Sequence, residues 1–273
     1  MLLSVWLNRK AIHSLDIQER AFAYGDGVFS TLLIKNGQAK LLDLHWQRLI
    51  KGCTRLHISC DLLTQWQQDF ALFMSCYPNS LAKIIITRGC SGRGYLPDEQ
   101  SQPHCYFYAY TAHTHPIAYQ QGIQSTFLTQ CLGLNPLLAG IKHLNRLEQV
   151  LLRQELSTLN TPEGVVCDVQ GHVIEGVFSN IFMVKNNQLY TPCLQQAGVE
   201  GILRQHLIHL APQLGYSINI QTLTPADFLA ADEVFFCNSV YGIWPVNQLQ
   251  DTLYSAHSVT QRLQATLYET DSL

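Results

Sequence analysis

The chain has 273 residues, 47% of them hydrophobic and 14% charged, with a net charge of −3. That length makes two domains of ordinary size the expectation. The missing basic excess argues against a nucleic-acid partner, and no apolar run approaches the ~20 residues of a membrane span. Charge content well under the usual ~25% implies buried surface or a partner subunit.

The opening MLLSVWLNRK lacks the basic start and long apolar run of a signal peptide. Nine scattered cysteines form no C-x-x-C pair, which fits reduced thiols in a cytoplasm better than a disulfide framework. Along the chain, VFSTLLIKNGQAKLL (28–42) predicts two strands joined at Asn36-Gly37, a strong hairpin signal. Asp43 is the expected N-cap of a helix over about 44–57, in which Trp46, Leu49, Cys53 and Leu56 recur at helical spacing. A second helix is expected over 62–77, ending before Pro78, and strands in AKIIITRG and HCYFYAYTA.

HTHPIAYQQG (113–122) breaks the pattern with Pro and Gly. The expected organisation is an N-terminal α/β domain over 1–113, a linker over 114–122, and a C-terminal domain over 123–273. The second domain is expected to begin with a strand near 123–131. A helix over about 144–159 follows, with Leu144, Leu147, Leu151 and Leu152 on its apolar face. A three-stranded meander over 164–192 should turn at Gln170-Gly171 and Asn186-Asn187. A helix should start at the glycines of GVEGILR, and a last buried strand should lie within 232–246. The fold class is α/β of the α+β type, with antiparallel or mixed sheets and no Rossmann fingerprint.

Several chemistries lack their residues. His113 and His115, and His206 and His209, have no convergent carboxylate and no H-E-x-x-H, so no metal site is expected. G-x-S-x-G is absent, and GCSGRG lacks the G-K-[ST] ending of a Walker loop. Lys142, in AGIKHLNRLEQVLL, is a different matter. A desolvated lysine amine is nucleophilic near neutral pH and can form a Schiff base. A lysine holding pyridoxal phosphate (PLP) needs an acid for the ring nitrogen and an anion site for the phosphate. Glu175 in HVIEGVFSNIF, Arg48 on an apolar helix and the amides of EGILR could supply them. Each also has an ordinary structural reading, and composition and spacing leave the function undecided.

Longer motifs point further. RAFAYGDGVFSTLLIKNG, LHWQRL, TRGCSGRGY, AGIKHLNRLEQVLLRQE, VIEGVFSNIFMVKNNQLYTP, AGVEGILRQ and DEVFFCNSVYGIWPV together resemble the fold-type IV PLP-dependent family. That family includes branched-chain and D-amino-acid aminotransferases and aminodeoxychorismate lyases. AGIKHLNRLEQVL with RGCSGRGY is similar to the lyases in particular.

The resemblance implies two domains, the second built on a mixed or antiparallel β pseudo-barrel, with the active site between them in a cytoplasmic homodimer. It implies Lys142 as Schiff-base lysine and general base, Glu175 against the pyridine nitrogen, and Arg48 on the phosphate. The amides of Ile202 and Leu203, with Asn238 and Ser239, would complete the phosphate cup. Arg93, Tyr95, Phe29 and His104 would face the small-molecule substrate. The implied reaction takes 4-amino-4-deoxychorismate to 4-aminobenzoate and pyruvate, a step towards folate; a D-amino-acid or branched-chain aminotransferase is the alternative. Two departures weigh against that alternative. Arg93-Gly94-Tyr95 lacks the histidine of the Arg-x-His pair of D-amino-acid aminotransferases, and Phe29 stands where those enzymes carry tyrosine.

Overall fold

The structure, a computed structural model, describes residues 1–112 and 115–269. Its contacts divide the chain into two bodies, one of Met1–Thr114 with Ile141–Asn145, the other of His115–Gly140 with Arg146–Leu273. The Lys142 segment therefore groups with the first body, against the expectation that 123–273 is one unit. The expected boundary at 113–114, and with it His113, lies outside the described residues.

The first body is an antiparallel sheet with helices on one face. Its elements are β1 (Leu2–Leu7), β2 (Lys10–Ala11), α1 (Arg20–Tyr24), β3 (Gly27–Lys35), β4 (Gln38–Ala39), α2 (Leu42–Arg55), α3 (Leu63–Cys76), β5 (Ser80–Thr87) and β6 (His104–Tyr110). The strands run in the order β2-β1-β6-β5-β3-β4. Asn36 and Gly37 both take positive φ, 52° and 76°, which a two-residue hairpin loop requires. Period-two alternation sends Val28, Leu32, Ile34, Ala82, Ile84 and Ile86 into one core with Trp46, Leu49, Phe70 and Phe73 of the helices. Each such buried side chain contributes roughly 1.5–3 kcal/mol. The opposite sheet face carries Phe29, Thr31, Leu33, Leu81, Lys83, Ile85 and Tyr108, all half-buried. Asp43 is not the N-cap of α2: that place is taken by Leu41 in the left-handed region, and Asp43 sits in the first turn.

Residues 141–145 form no helix start. They lie alongside β3, with Phe29 N–H donating to Lys142 C=O at 2.9 Å and Leu144 N–H to Gly27 C=O at 3.0 Å.

The second body contains β7 (Ile123–Ser125), α4 (Leu147–Thr158), β8 (Val165–Cys167), β9 (Val173–Gly176), β10 (Asn180–Lys185), β11 (Gln188–Pro192), α5 (Ile202–Gln213), β12 (Ile218–Gln221), α6 (Pro225–Leu229), β13 (Glu233–Asn238), β14 (Gly242–Leu249), β15 (Thr252–Leu253) and α7 (Ser258–Glu269). A mixed sheet runs β12-β11-β10-β13-β14-β15, with β7 beside β14; the β11–β12 and β14–β7 pairs are parallel. Ile181, Val234, Phe236, Trp244 and Val246 centre its core.

Three expectations are corrected here. The segment 164–192 is not one meander: β8 and β9 form a separate two-stranded sheet, and β10 pairs with β11 and β13. The segment 232–246 holds two strands, not one, because Gly242 at φ 84° opens β14 after a turn. The buried face of α4 is Leu152 and Leu156, whereas Leu147 is 78% and Leu151 50% exposed. Burial follows the i, i+4 pair that meets Leu128 and Val166, not the density of leucine.

Candidate active site

In the first body, β3, α2 and the 141–145 segment bring Lys142, Phe29, Ser30, His45 and Arg48 into one group. The Lys142 ammonium lies 4.8 Å from the centroid of the Phe29 ring, and a second ammonium, Lys83, lies 4.4 Å from it. Lys142 is half-buried in this chain rather than enclosed. Arg48, one turn beyond His45 on α2, is buried and donates to Ser30 Oγ at 2.6 Å; Ser30 Oγ is also 2.7 Å from His45 Nδ1. The assignment satisfying all three groups sends the Ser30 proton to Nδ1 and leaves the His45 proton on Nε2. That Nε2 is buried with no hydrogen-bond partner among the described residues. Burial first, then the positive charges of Arg48 and Lys142, hold the His45 pKa well below 6.5.

The predicted substrate loop is anchored by residues that pattern reading did not single out. Asp26 accepts from Arg20 Nε at 2.9 Å and from Arg88 Nε at 2.7 Å. Arg20, itself buried, then donates to Gly94 C=O at 2.9 Å and Tyr95 C=O at 2.8 Å. Three ionised groups in the largely apolar RAFAYGDG and IIITRG stretches were the available clue. Arg93 and Tyr95 are themselves exposed. His104 is directed to Glu19 instead: its Nδ1 is 2.8 Å from Glu19 Oε2, which also accepts from Tyr106 OH at 2.7 Å. Glu19, Cys90 and His104 have metal-ligand spacing, but the hydrogen bonds among Glu19, His104 and Tyr106 account for the cluster.

In the second body, β9, β10 and the start of α5 converge on Val199. Glu175, buried on β9, accepts from Val199 N–H at 2.8 Å. Asn180, at the start of β10, donates from Nδ2 to Val199 C=O at 2.8 Å. Gly201 then caps α5 without any side-chain acceptor, so the first-turn amides of Ile202 and Leu203 can meet an anion. The space is tight: a Cβ on Gly201 would stand 2.0 Å from Asn180 Oδ1, and one on Gly198 would stand 3.2 Å from Glu175 Oε2.

The turn joining Glu175 to Asn180 is held from behind by Glu163. This carboxylate is fully buried and accepts from Gly164 N–H, Val177 N–H and Ser179 Oγ. Burial outweighs those donors and raises its pKa to about 7. The TPEGVV stretch gave no hint of this role. Asn238 commits its side chain within the second body, Oδ1 accepting from Val240 and Tyr241 N–H and Nδ2 donating to Phe178 C=O at 3.2 Å, and Ser239 follows in the same turn.

These groups suit PLP. A buried carboxylate matches a protonated ring nitrogen. Arg48 in the first body is a buried cation of the kind that suits a phosphate, and so, in the second body, are the side-chain-free amides at the start of α5. The half-buried Lys142 amine is of the kind that can join an aldehyde.

Residues 27–249 match the amino-transferase class IV family. The chain is similar to an aminodeoxychorismate lyase of Vibrio harveyi, 35% identical over 96% of this chain and 98% of that protein. It is 29% identical to a putative branched-chain-amino-acid aminotransferase of Methanocaldococcus jannaschii over 90% of this chain and 88% of the relative. Among solved structures, 4-amino-4-deoxychorismate lyase from Pseudomonas aeruginosa superposes with a TM-score of 0.95 at 37% identity, covering 98% of this chain and all of that one. The branched-chain amino acid aminotransferase of Escherichia coli, with a TM-score of 0.85 at 23% identity over 98% of this chain and 94% of its own, shares the fold.

Proposed function

The chain belongs to the amino-transferase class IV family, and from that premise we propose that it is a PLP-dependent lyase converting 4-amino-4-deoxychorismate to 4-aminobenzoate and pyruvate. The observation that carries this reading is the end-to-end likeness to the Vibrio and Pseudomonas lyases at 35% and 37% identity. Bound PLP supplies an electron sink for a carbon that has lost its proton.

The chain's own residues do the rest. Lys142 would hold the cofactor through its amine, and the same amine, when free, would serve as the base for the proton on the substrate carbon that bears the nitrogen. Positioned bases of this kind are typically worth ~10²–10⁴-fold. Glu175 keeps the ring nitrogen protonated, and its bond to Val199 N–H fixes the carboxylate. Arg48, with the amides of Ile202 and Leu203, holds the phosphate, and Asn238 and Ser239 border it. Phe29, Arg93 and Tyr95 face the substrate. His104 acts there through Glu19, the group its ring already bonds.

The reading extends to a cytoplasmic homodimer. Leu147, Val150 and Leu151 are exposed on α4. In the first body Leu2, Leu15, Ile17 and Phe22 line an apolar concavity of about 610 Å³. Apolar surface of this kind marks an interface.

The test is to assay the PLP-loaded protein for 4-aminobenzoate release from 4-amino-4-deoxychorismate, and in parallel for transamination of D-alanine or a branched-chain amino acid with 2-oxoglutarate. The lyase reading expects the first. Rapid transamination without 4-aminobenzoate would replace it with the aminotransferase. Gel filtration with light scattering reads the dimer.

A further inference from the structure

We propose that Lys83 is a carboxylate-binding residue for the substrate, set beside Lys142 on the open face of the first body's sheet. This rests on the lyase reading for the identity of the ligand.

Strand register places Lys83 of β5 opposite Thr31 of β3 and Tyr108 of β6. Directly paired residues share a face, so Lys83 stands with Phe29, Thr31, Ile85 and Tyr108 on the side that α2 and α3 leave uncovered. Its ammonium is 4.4 Å from the Phe29 centroid, the same ring that lies 4.8 Å from the Lys142 ammonium. Phe29 therefore gathers two lysines.

Lysine is rarely withdrawn from water without a counter-charge. Lys83 is half-buried, and desolvation pulls its pKa below the usual lysine range. Yet no carboxylate among the described residues forms an ion pair or hydrogen bond with it. The other charged group known to share its ring is Lys142, of like sign. A cation–π contact offsets only part of the lost hydration. The site therefore lacks one anion.

The substrate supplies anions. 4-Amino-4-deoxychorismate carries a ring carboxylate and an enolpyruvyl carboxylate, both ionised at neutral pH. When the Lys142 charge is spent in its bond to the cofactor, Lys83 remains the cation over Phe29 and can accept either carboxylate. No covalent change at Lys83 is involved, and its place beside the reacting lysine makes it a determinant of specificity for acidic substrates.

The test uses the full-length, PLP-loaded protein with K83Q and K83R. Chorismate is the probe, because it carries both carboxylates but has a hydroxyl where the substrate has the reacting amine. Its binding reads carboxylate recognition apart from turnover. Expected is a roughly 10–100-fold weaker chorismate Kd in K83Q, the scale of one charge-assisted hydrogen bond. The KM for substrate should rise in parallel, with kcat and the visible cofactor band largely unchanged, and K83R should recover most of the loss. Wild-type chorismate affinity in K83Q overturns the inference. So does a loss of affinity accompanied by loss of the cofactor band or of the dimer, since Lys83 would then be structural. If the wild-type protein makes no 4-aminobenzoate, the lyase reading fails by itself, while the chorismate arm still decides whether Lys83 binds carboxylates.

Discussion

Glu163 and Ser179, 16 residues apart in the chain, meet in the interior of the second body at 2.8 Å, hydroxyl to carboxylate. Through this bond and the one from Val177 N–H, Glu163 fixes the turn whose two ends are Glu175 and Asn180. Because burial raises its pKa from 4.5 to about 7, the folded protein holds a proton that the unfolded chain releases. Its stabilising share is therefore full below pH 4.5 and is lost as pH rises to about 7. In E163Q the amide oxygen can keep the Gly164 and Val177 donors while Ser179 reverses to accept. The Tm difference between wild type and E163Q should then be most favourable to wild type near pH 5 and shrink by pH 7.5. A pH-independent difference would show that Glu163 does not titrate in this range.

His45 should act in the opposite sense. Its pKa is held well below 6.5, so the unfolded chain takes up a proton that the folded one refuses, and stability is lost as pH falls through 6.5. H45N, which retains a polar atom near Ser30, should reduce this acid-side loss in thermal melts. K142A removes one of the positive charges acting on the ring and should move the His45 titration upward, as read from its imidazole NMR resonance.

The Arg20–Asp26–Arg88 network predicts a stability effect coupled to the loop. D26N leaves two largely buried guanidinium groups, with side-chain exposures of 4% and 14%, facing a neutral amide. Breaking buried pairs from one side costs about 3–5 kcal/mol. D26N should melt lower by that scale, and trypsin should cut faster after Arg93, since Arg20 also tethers Gly94 and Tyr95. Unchanged cleavage would separate the loop from the network.

Local signals carried much of this fold, and long-range ones were silent. Asn36-Gly37 announced its hairpin because the loop's positive φ is written in two adjacent residues. Helix α2 showed in its apolar spacing, and α3 in a stretch that stops before Pro78. Lys142 was visible as a lysine in an apolar setting, but its pairing with β3, across more than 100 residues of chain, leaves no local trace. The same holds for Glu163, which reads as a loop acid until the fold brings Val177 and Ser179 to it. Leu147 and Leu151 misled because an apolar helix face can lie on the outside of a single chain. Arg48, Lys142, Glu175 and the EGILR amides stood out as candidates from their settings, and the resemblance is what gave each of them a definite role. The groups that position them, Ser30, His45, Glu163 and Asn180, emerge only from geometry.

Gly201 offers a test of whether that positioning governs the start of α5. Its φ of −70° and ψ of 147° suit alanine as well as glycine, so backbone strain does not enter. What excludes a methyl group is space, since a Cβ would stand 2.0 Å from Asn180 Oδ1. Asn180 is buried and bound to Val199 C=O, so it cannot yield without losing that bond. G201A should therefore lower Tm, with a stability loss of about 1–3 kcal/mol for one disrupted buried hydrogen bond. PLP binding, followed by the visible band, should weaken with it. The decisive comparison is the double variant. In N180A the obstruction is gone, so adding G201A should cost little more, and the cycle should be strongly non-additive. Simple additivity of the two effects would mean that Gly201 and Asn180 act independently and that another contact sets the helix start.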